Sequence, residues 1–450
     1  MKKFLLFLAI SSCAIIALSQ EEVCLRCGPP LQFSPTLTGF CETLITAYVE
    51  QIGIVSFSRS LNKGETFEYM GRVCKMCDRS EGWPALAVSQ DGIFYLALAT
   101  DNRVSVLRSL DQGESFLPVF TVKSEDCPDC FVLLYHSIFS ETGTIYLMGT
   151  DLLHGRVLLF VGNTEGYVKG PIIVAENNAF FGRVFGYQGR LYSSFVQWSS
   201  PVDFLPPIGI PDGLAPLGDL LVQYCERHPA QLLVTLSSDG GMTWTPPKSM
   251  ATLVIPAKVE GKIASFISRG LEAPFIPNMA VDANLGQIYV VFQGANEQGN
   301  MDVYFVGLDK DLEVTVPPRR ICHEPNKERF LPNIAVASDG TIGVAFYELD
   351  KKQGRIELWL GKSMDGGRSF SCQRVSKVPS PVPPVAGQPT RSGHFEPSLP
   401  SGYIGESIGI WADETNFYLV WTDFRNTAIT PDYPQGRPDM DLYFARIPIR

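Results

Sequence analysis

The stretch SSDGGMTWTP, residues 237–246, recurs along the chain as SLNKGETF at 60–67, SLDQGESF at 109–116 and SMDGGRSF at 363–370. Each copy keeps Ser, then Asp or Asn, Gly, Ser or Thr and an aromatic residue in one frame. The Asp or Asn side chain can accept backbone N–H bonds across a turn, and the glycine supplies a positive φ. The pattern therefore predicts four structural turns, built by Ser60, Asn62, Gly64, Ser109, Asp111, Gly113, Ser237, Asp239, Gly241, Trp244, Ser363, Asp365, Gly367 and Phe370.

The segments around these turns repeat as well. The segments from Pro84 and from Pro332 both run strand, turn, strand, loop, strand and Asp turn, and weaker copies bring the number of repeats to seven. Radial repetition of small antiparallel sheets is how a β-propeller protects its strand edges. We expect an all-β, seven-bladed propeller over residues 33–450 with four-stranded antiparallel blades, six blades being the alternative. The last repeat stops after its third strand, so the N-terminal segment, residues 20–32, is predicted to close the ring through the stretch near 29–34.

The four turns resemble the Asp boxes, or BNR repeats, of sialidase-like propellers, and the similarity covers nearly the whole mature chain. In that family the boxes lie on the face opposite the active site. The resemblance implies that function belongs to the other face, which carries the loops between second and third strands and those that lead into each first strand. The boxes identify a fold and do not by themselves define a chemistry.

Sialidases of this family grip the substrate carboxylate with three arginines and use an acid and a Tyr nucleophile paired with Glu. The residues that could fill these roles here are Arg183, Arg329, Arg425, Asp101, Tyr403 and Glu406. The position that supplies the family's first arginine is aromatic or acidic in this chain, as in Phe33, Glu81, Phe275 and Phe330. We therefore expect a non-catalytic module that binds a glycan or an extracellular protein, with an exo-α-sialidase type of glycoside hydrolase as the alternative.

Three cysteine pairs have C-x-x-C spacing and recur at about the blade interval: Cys24/Cys27, Cys74/Cys77 and Cys127/Cys130. They are predicted to form one cluster on neighbouring blades, as disulfides or as a zinc site with four thiolates. Disulfides are favoured because the chain carries an export signal. No other cofactor is expected.

The N-terminus, MKKFLLFLAISSCAIIALS, has two lysines, an apolar run and a small-residue cleavage site, which describes a signal peptide over residues 1–19. The predicted location is the medium, the periplasm or the cell surface, with lipidation at Cys13 as a minor alternative. No later segment is long and apolar enough for a membrane span. The net charge of −10 argues against nucleic acid as a partner. The protein is expected to be a monomer.

Overall fold

The computed structural model describes residues 22–28, 31–50, 54–73, 84–100, 103–123, 133–151, 154–199, 229–256, 258–260, 263–265, 267–271, 273–382, 404–430 and 433–450. Within these ranges the chain forms 33 strands and one short 3-10 helix. No helix of the described part is long and apolar enough to cross a membrane.

Seven antiparallel sheets of four main strands follow one another along the chain. The first strand in the chain, β1 (Glu22–Arg26), belongs to the last blade, and blade 1 contains β2 (Gln32–Phe40), β3 (Thr43–Glu50), β4 (Val55–Ser60) and β5 (Glu68–Arg72). Blade 2 contains β6 (Ala85–Val88), β7 (Phe94–Thr100), β8 (Arg103–Ser109) and β9 (Leu117–Lys123). Blade 3 contains β10 (Leu133–Glu141), β11 (Thr144–Asp151), β12 (Arg156–Asn163) and β13 (Val168–Ala175).

Blade 4 contains β14 (Ala179–Tyr187), β15 (Arg190–Trp198), β16 (Ala230–Ser237) and β17 (Lys248–Leu253). An insertion with the hairpin β18 (Lys258–Glu260) and β19 (Ile263–Ser265) and the 3-10 helix (Ser268–Gly270) follows it. Blade 5 contains β20 (Asn278–Asp282), β21 (Gln287–Ala295), β22 (Met301–Leu308) and β23 (Val314–Arg320).

Blade 6 contains β24 (Lys327–Val336), β25 (Ile342–Asp350), β26 (Arg355–Ser363) and β27 (Ser371–Arg374), and the short β28 (Ser380–Pro381) also pairs with β26. Blade 7 contains β29 (Gly409–Ala412), β30 (Asn416–Asp423), a hairpin of β31 (Thr427–Thr430) and β32 (Tyr433–Pro438), and β33 (Asp441–Pro448). The seven-bladed propeller predicted from the repeats is confirmed, and the six-bladed alternative is wrong.

The ring is closed by β1, which pairs antiparallel with β33 as the fourth strand of blade 7. This strand lies within the predicted segment 20–32 but is not the stretch near 29–34, whose residues 32–34 begin β2 instead. The physical reason is backbone chemistry: Pro29 and Pro30 have no N–H to donate to a strand ladder, whereas every residue of 22–26 has one.

The hydrophobic core lies between blades, because each sheet is covered on both sides by its neighbours. Second strands are accordingly apolar on both faces, as in the IGVAFYELD sequence of β25, whose first eight residues are buried. Blades 5 and 6, for example, share a buried cluster that includes Tyr289, Val291, Val303, Phe305, Ile334, Val344 and Phe346. The apolar residues on both faces of the second strands are therefore explained by the packing of each blade between two others.

Side chains near the start of the innermost strands also join neighbouring blades. The bonds run from Asn278 Nδ2 to Pro332 O at 2.8 Å, from Asn333 Nδ2 to Ile408 O at 2.6 Å and from Ser407 Oγ to Pro35 O at 3.0 Å. They connect blade 5 to 6, blade 6 to 7 and blade 7 to 1. These bonds fix the relative positions of the strand ends that surround the central axis.

Candidate functional site

The four repeat turns share one hydrogen-bond pattern. In the blade 4 copy, Ser237 Oγ donates to Asp239 Oδ1 at 2.7 Å and accepts from the Gly241 N–H at 2.9 Å. The Asp239 carboxylate accepts from the backbone N–H and the hydroxyl of Thr243, at 2.9 and 2.6 Å. Bonds of the same kind occur within the sets Ser60/Asn62/Gly64/Thr66, Ser109/Asp111/Gly113/Ser115 and Ser363/Asp365/Gly367/Ser369.

The hydrogen bonds in these turns also keep the aspartates charged. Donation from the hydroxyl and the N–H of Thr243 lowers the pKa of Asp239 to about 2. The hydroxyl of Ser369 lowers the pKa of Asp365 in the same way, also to about 2. The carboxylates are therefore engaged within their own turns, which is a structural role.

Each turn glycine lies against the neighbouring blade. A Cβ added to Gly241 would lie 2.4 Å from Leu159 Cδ2, and one added to Gly367 would lie 2.1 Å from the Phe305 ring. Both glycines also have positive φ angles, +87° for Gly241 and +85° for Gly367. The repeat turns connect the third and fourth strands of their blades, and the turns between first and second strands lie at the same end of the propeller. We call this end the turn face. The opposite end is the loop face.

Three first strands contain a residue with a strained backbone a few positions after the strand enters from the loop face. Ser34, Phe181 and Leu331 have positive φ angles of 52, 61 and 52, although none is glycine. Each one accompanies a register shift between the first and second strands of its blade. The N–H groups of Phe181 and Leu331 donate to side chains of the preceding blade, Thr150 Oγ1 at 3.0 Å and Gln293 Oε1 at 2.7 Å. Strain of this kind is concentrated at functional sites in proteins.

Arg183 and Glu406 are the two candidate residues that the structure brings together. Arg183 follows the register shift in β14, the innermost strand of blade 4, and Glu406 leads into blade 7, where its N–H donates to Ser34 Oγ at 2.9 Å. Burial lowers the pKa of Arg183 to about 10, and the charge of Glu406 opposes this shift. Blades 4 and 7 are not neighbours, so the two charges interact across the centre of the ring.

Arg329 is held between blades 5 and 6. Its guanidinium donates two bonds to Glu348 Oε2, at 2.9 and 2.6 Å, and lies 3.8 Å from an oxygen of Asp302. It also lies over the Phe346 ring, 5.8 Å from the centroid. The side chain is 3% exposed, and burial raises the pKa of Glu348 despite this partner. The arginine is thus bound by carboxylates of the blades themselves.

Arg425 is held at the closure of the ring. It donates to Asp423 Oδ2 at 2.6 Å and to Glu22 of β1 at 2.5 Å, and its guanidinium lies 4.1 Å from the centroid of Tyr443. These bonds raise its pKa against the effect of burial. Arg329 and Arg425 are thus both engaged by carboxylates of the propeller itself. Asp101 and Tyr403 lie outside the described residues.

A pattern that the sequence analysis missed is an ion pair at the end of four second strands. The buried carboxylates are Glu50, Asp151, Glu348 and Asp423, and they pair with Arg26 at 3.0 Å and with Arg156, Arg329 and Arg425 at 2.6 Å each. The signal was present in the sequence: an apolar strand that ends in an acid, as in TAYVE, YLMGTD and YLVWTD. A buried charge needs a partner, so an acid at this position predicts a nearby base.

Two histidines join this network through buried carboxylates. His154 Nδ1 lies 2.9 Å from Asp151, and His323 Nδ1 lies 3.1 Å from Asp302. The parts of the chain that the structure describes contain no group of three or more His, Cys, Asp or Glu side chains that could hold a metal ion. The histidines are therefore placed as partners of the ion-pair network.

Cys24 and Cys27 form a disulfide with each other, at the strand that closes the ring, and Cys322 pairs with Cys372 across blades 5 and 6. The thiols of Cys24 and Cys27 are thus used within one C-x-x-C pair, as the disulfide alternative predicts. The other members of the predicted cluster, Cys74, Cys77, Cys127 and Cys130, lie outside the described residues. Disulfides are typical of proteins in oxidising compartments.

No protein-family profile matches the chain, and no curated protein matches it. Among solved structures, it is similar to an α-L-arabinanase from Penicillium chrysogenum in complex with arabinobiose (TM-score 0.43, 12% identity, 96% of this chain and 99% of that one). It is also similar to the α-L-arabinofuranosidase Arb93A from Fusarium graminearum in complex with an iminosugar inhibitor (0.44, 10%, 95% and 97%). A protein of unknown function from Dyadobacter fermentans is a third (0.45, 11%, 96% and 98%). Similarity at this level supports no statement about activity.

Proposed function

We propose that this chain is an exported, sialidase-like propeller that binds a glycan in the centre of its loop face, without cleaving it. The observation that carries the proposal is the placement of an arginine and a carboxylate at the loop-face entry of two blades, Arg183 after the register shift in β14 and Glu406 next to Ser34. A guanidinium offers a planar set of donors and a carboxylate offers acceptors. Together they match the neighbouring hydroxyl groups of a sugar, each of which can donate and accept.

The backbone around this pair supports a binding role. Ser34, which accepts from the Glu406 N–H, and Phe181, two residues before Arg183, both have left-handed backbones. Such conformations cost about 1–3 kcal/mol each and persist where the surrounding structure holds them. The backbone beside Arg183 and Glu406 is therefore held in a fixed conformation, and polar groups on a rigid backbone lose little entropy when they bind a ligand.

Binding without hydrolysis is favoured over an exo-sialidase by the positions of the other arginines. A sialidase directs three guanidinium groups at one substrate carboxylate, but Arg329 and Arg425 are already bound to Glu348 and Asp423. Releasing either from its buried carboxylate would leave that charge uncompensated, which is costly. The four repeat turns, which we propose are Asp boxes, lie on the opposite face and serve the fold.

The test is a glycan array probed with the labelled mature protein, followed by calorimetric titration of the glycans that bind. Arg183→Gln and Glu406→Gln should each weaken binding at least tenfold. Arg190→Gln, which removes a guanidinium on the turn face, is the matched control and should bind as the wild type does. Thermal midpoints of all three variants show whether they are folded.

The absence of any glycan that binds would overturn the proposal, and so would unchanged affinity in folded Arg183→Gln and Glu406→Gln. In that case an extracellular protein becomes the expected ligand of the loop face. Release of a free sugar during the titration would contradict the non-catalytic part of the proposal.

A further inference from the structure

The Cys24–Cys27 disulfide lies at the strand that closes the ring. β1 pairs with β33 through a short ladder, and the register of this ladder shifts between Cys24 and Arg26, so the cross-link spans the irregular part of the closing contact. Cys24 is partly buried and packs against the hydrophobic core, whereas Cys27 is exposed to solvent. One sulfur of the bond is therefore accessible from outside the protein.

Polar side chains of blade 7 surround Cys27. Its Sγ lies 3.5 Å from Asn426 Nδ2 and 3.9 Å from the Tyr443 hydroxyl. The same Asn426 nitrogen donates to Asp441 Oδ2 at 2.7 Å, and Asp441 Oδ1 accepts from the Gly28 N–H at 2.8 Å. The chain therefore leaves the disulfide through a group of contacts that all belong to the closure of the ring.

The Cys322–Cys372 disulfide differs from this bond in its surroundings. Its cysteines are 50 positions apart, and both are partly buried against the core that blades 5 and 6 share. A reductant must reach a sulfur atom to attack it, and exposed disulfides are the more easily reduced ones in proteins. The exposure of Cys27 therefore makes Cys24–Cys27 the more reducible of the two bonds.

We propose that Cys24–Cys27 is a thiol–disulfide exchange site at which a dithiol reductant weakens the closure of the ring. A thiolate of the reductant attacks Cys27 Sγ, the S–S bond breaks, and Cys24 leaves as a thiolate that takes a proton from water. The second thiolate of the reductant then attacks its own partner sulfur in the mixed disulfide and releases Cys27. Two electrons thus pass from the dithiol to the protein, and the reductant becomes a disulfide.

Reduction acts on the closing contact because of the position of β1 at the edge of blade 7. This strand pairs on one side, with β33, and an edge strand opens more easily than an inner one. Without the cross-link, β1 is held by that ladder and by the ion pairs of Glu22 and Arg26. Its opening leaves the outer edge of β33 unpaired. The site does not depend on the proposed glycan site.

The test treats the mature wild-type protein with dithiothreitol under native conditions, alkylates free thiols at intervals and identifies each labelled cysteine by peptide mass spectrometry. Hydrogen exchange of residues 22–28 and 441–448 is measured before and after reduction, with the inner strand β25 of blade 6 as the reference. Cys24→Ser combined with Cys27→Ser lacks this one bond and is measured with and without dithiothreitol. It separates the effect of the Cys24–Cys27 bond from that of any other disulfide.

We expect Cys24 and Cys27 to be labelled at least tenfold faster than Cys322 and Cys372. Exchange of residues 22–28 should become at least tenfold faster on reduction, while exchange in β25 stays unchanged. The double variant should show this fast exchange without reductant and no further change with it.

Labelling of Cys24 and Cys27 that is no faster than that of Cys322 and Cys372 would overturn the proposal, and so would unchanged exchange of residues 22–28 in the reduced wild type. An increase on reduction that the folded double variant does not share would also overturn it, because another disulfide would then be responsible. If the double variant does not fold, the two wild-type measurements decide.

Discussion

The guanidinium of Arg425 donates to the carboxylate of Glu22 at 2.5 Å, although the two residues are 403 positions apart in the chain. Glu22 lies in the strand that closes the ring, and its side chain is 3% exposed. Arg26 of the same strand bonds to Glu50 of blade 1 at 3.0 Å. Ion pairs therefore hold the closing strand to the last blade and to the first blade.

Replacement of Glu22 by Gln is expected to lower the free energy of unfolding by about 1–3 kcal/mol, because it removes a charge from a buried hydrogen-bonded pair. Asp423 remains as a partner of Arg425 and limits the loss. Urea unfolding measures the change. Glu42→Gln, at an exposed turn position, is the control, and equal midpoints for the two variants would show that the closing contact contributes nothing.

Adjacent glycines in the blade 4 turn separate two effects. Gly240→Ala and Gly241→Ala both place a side chain at positive φ, +72 and +87, which costs about 1–2 kcal/mol. Only the second Cβ meets a close neighbour, Leu159 Cδ2 at 2.4 Å, whereas the first has nothing nearer than 3.9 Å. Gly241→Ala should therefore lose about 1–3 kcal/mol more than Gly240→Ala. Thermal unfolding of the two variants decides this, and equal losses would mean that Leu159 moves aside freely.

The turn aspartates should make stability fall at low pH. The folded pKa of Asp239 and of Asp365 is about 2, below the ordinary value of about 3.9, so their contribution is complete above about pH 4. It is lost as the pH falls through 2. Replacing both by Asn, the residue that blade 1 has at Asn62, removes this dependence. The difference in thermal midpoint between wild type and double variant should shrink from pH 5 to pH 2, and a constant difference would contradict the assignment.

No appreciable cleavage of α-linked sialosides is expected. A planar guanidinium trio holds a carboxylate through charge-assisted, bidentate bonds, and Arg329 and Arg425 already make such bonds to Glu348 and to Asp423 with Glu22. Hydrolysis of a fluorogenic sialoside by the mature protein is measured beside Tyr403→Phe. Turnover by the wild type that is lost in Tyr403→Phe would contradict this prediction and favour the exo-α-sialidase alternative.

The sequence predicted the repeats well because a propeller is built from local units. The turn that contains Asp239 and Gly241 is closed by residues within four positions of one another, so its pattern is visible in ten letters. The ring-closing strand was placed only approximately, near 29–34 rather than at Glu22–Arg26. Nothing in a single strand's sequence states which edge it will pair with, since that depends on a partner more than 400 residues away.

The candidate site was predicted in part. Arg183 and Glu406 were both named from the sequence, but their interaction across the ring depends on how blades 4 and 7 are arranged. The packing of the blades also determines that Arg329 pairs with Glu348 and Asp302 and that Arg425 pairs with Glu22. Sequence alone thus determined the strands, the turns and the number of blades, because those follow from local patterns of apolar residues, glycine and aspartate. Only the tertiary structure decided which carboxylate each arginine pairs with, because an arginine's partner is set by distance in space.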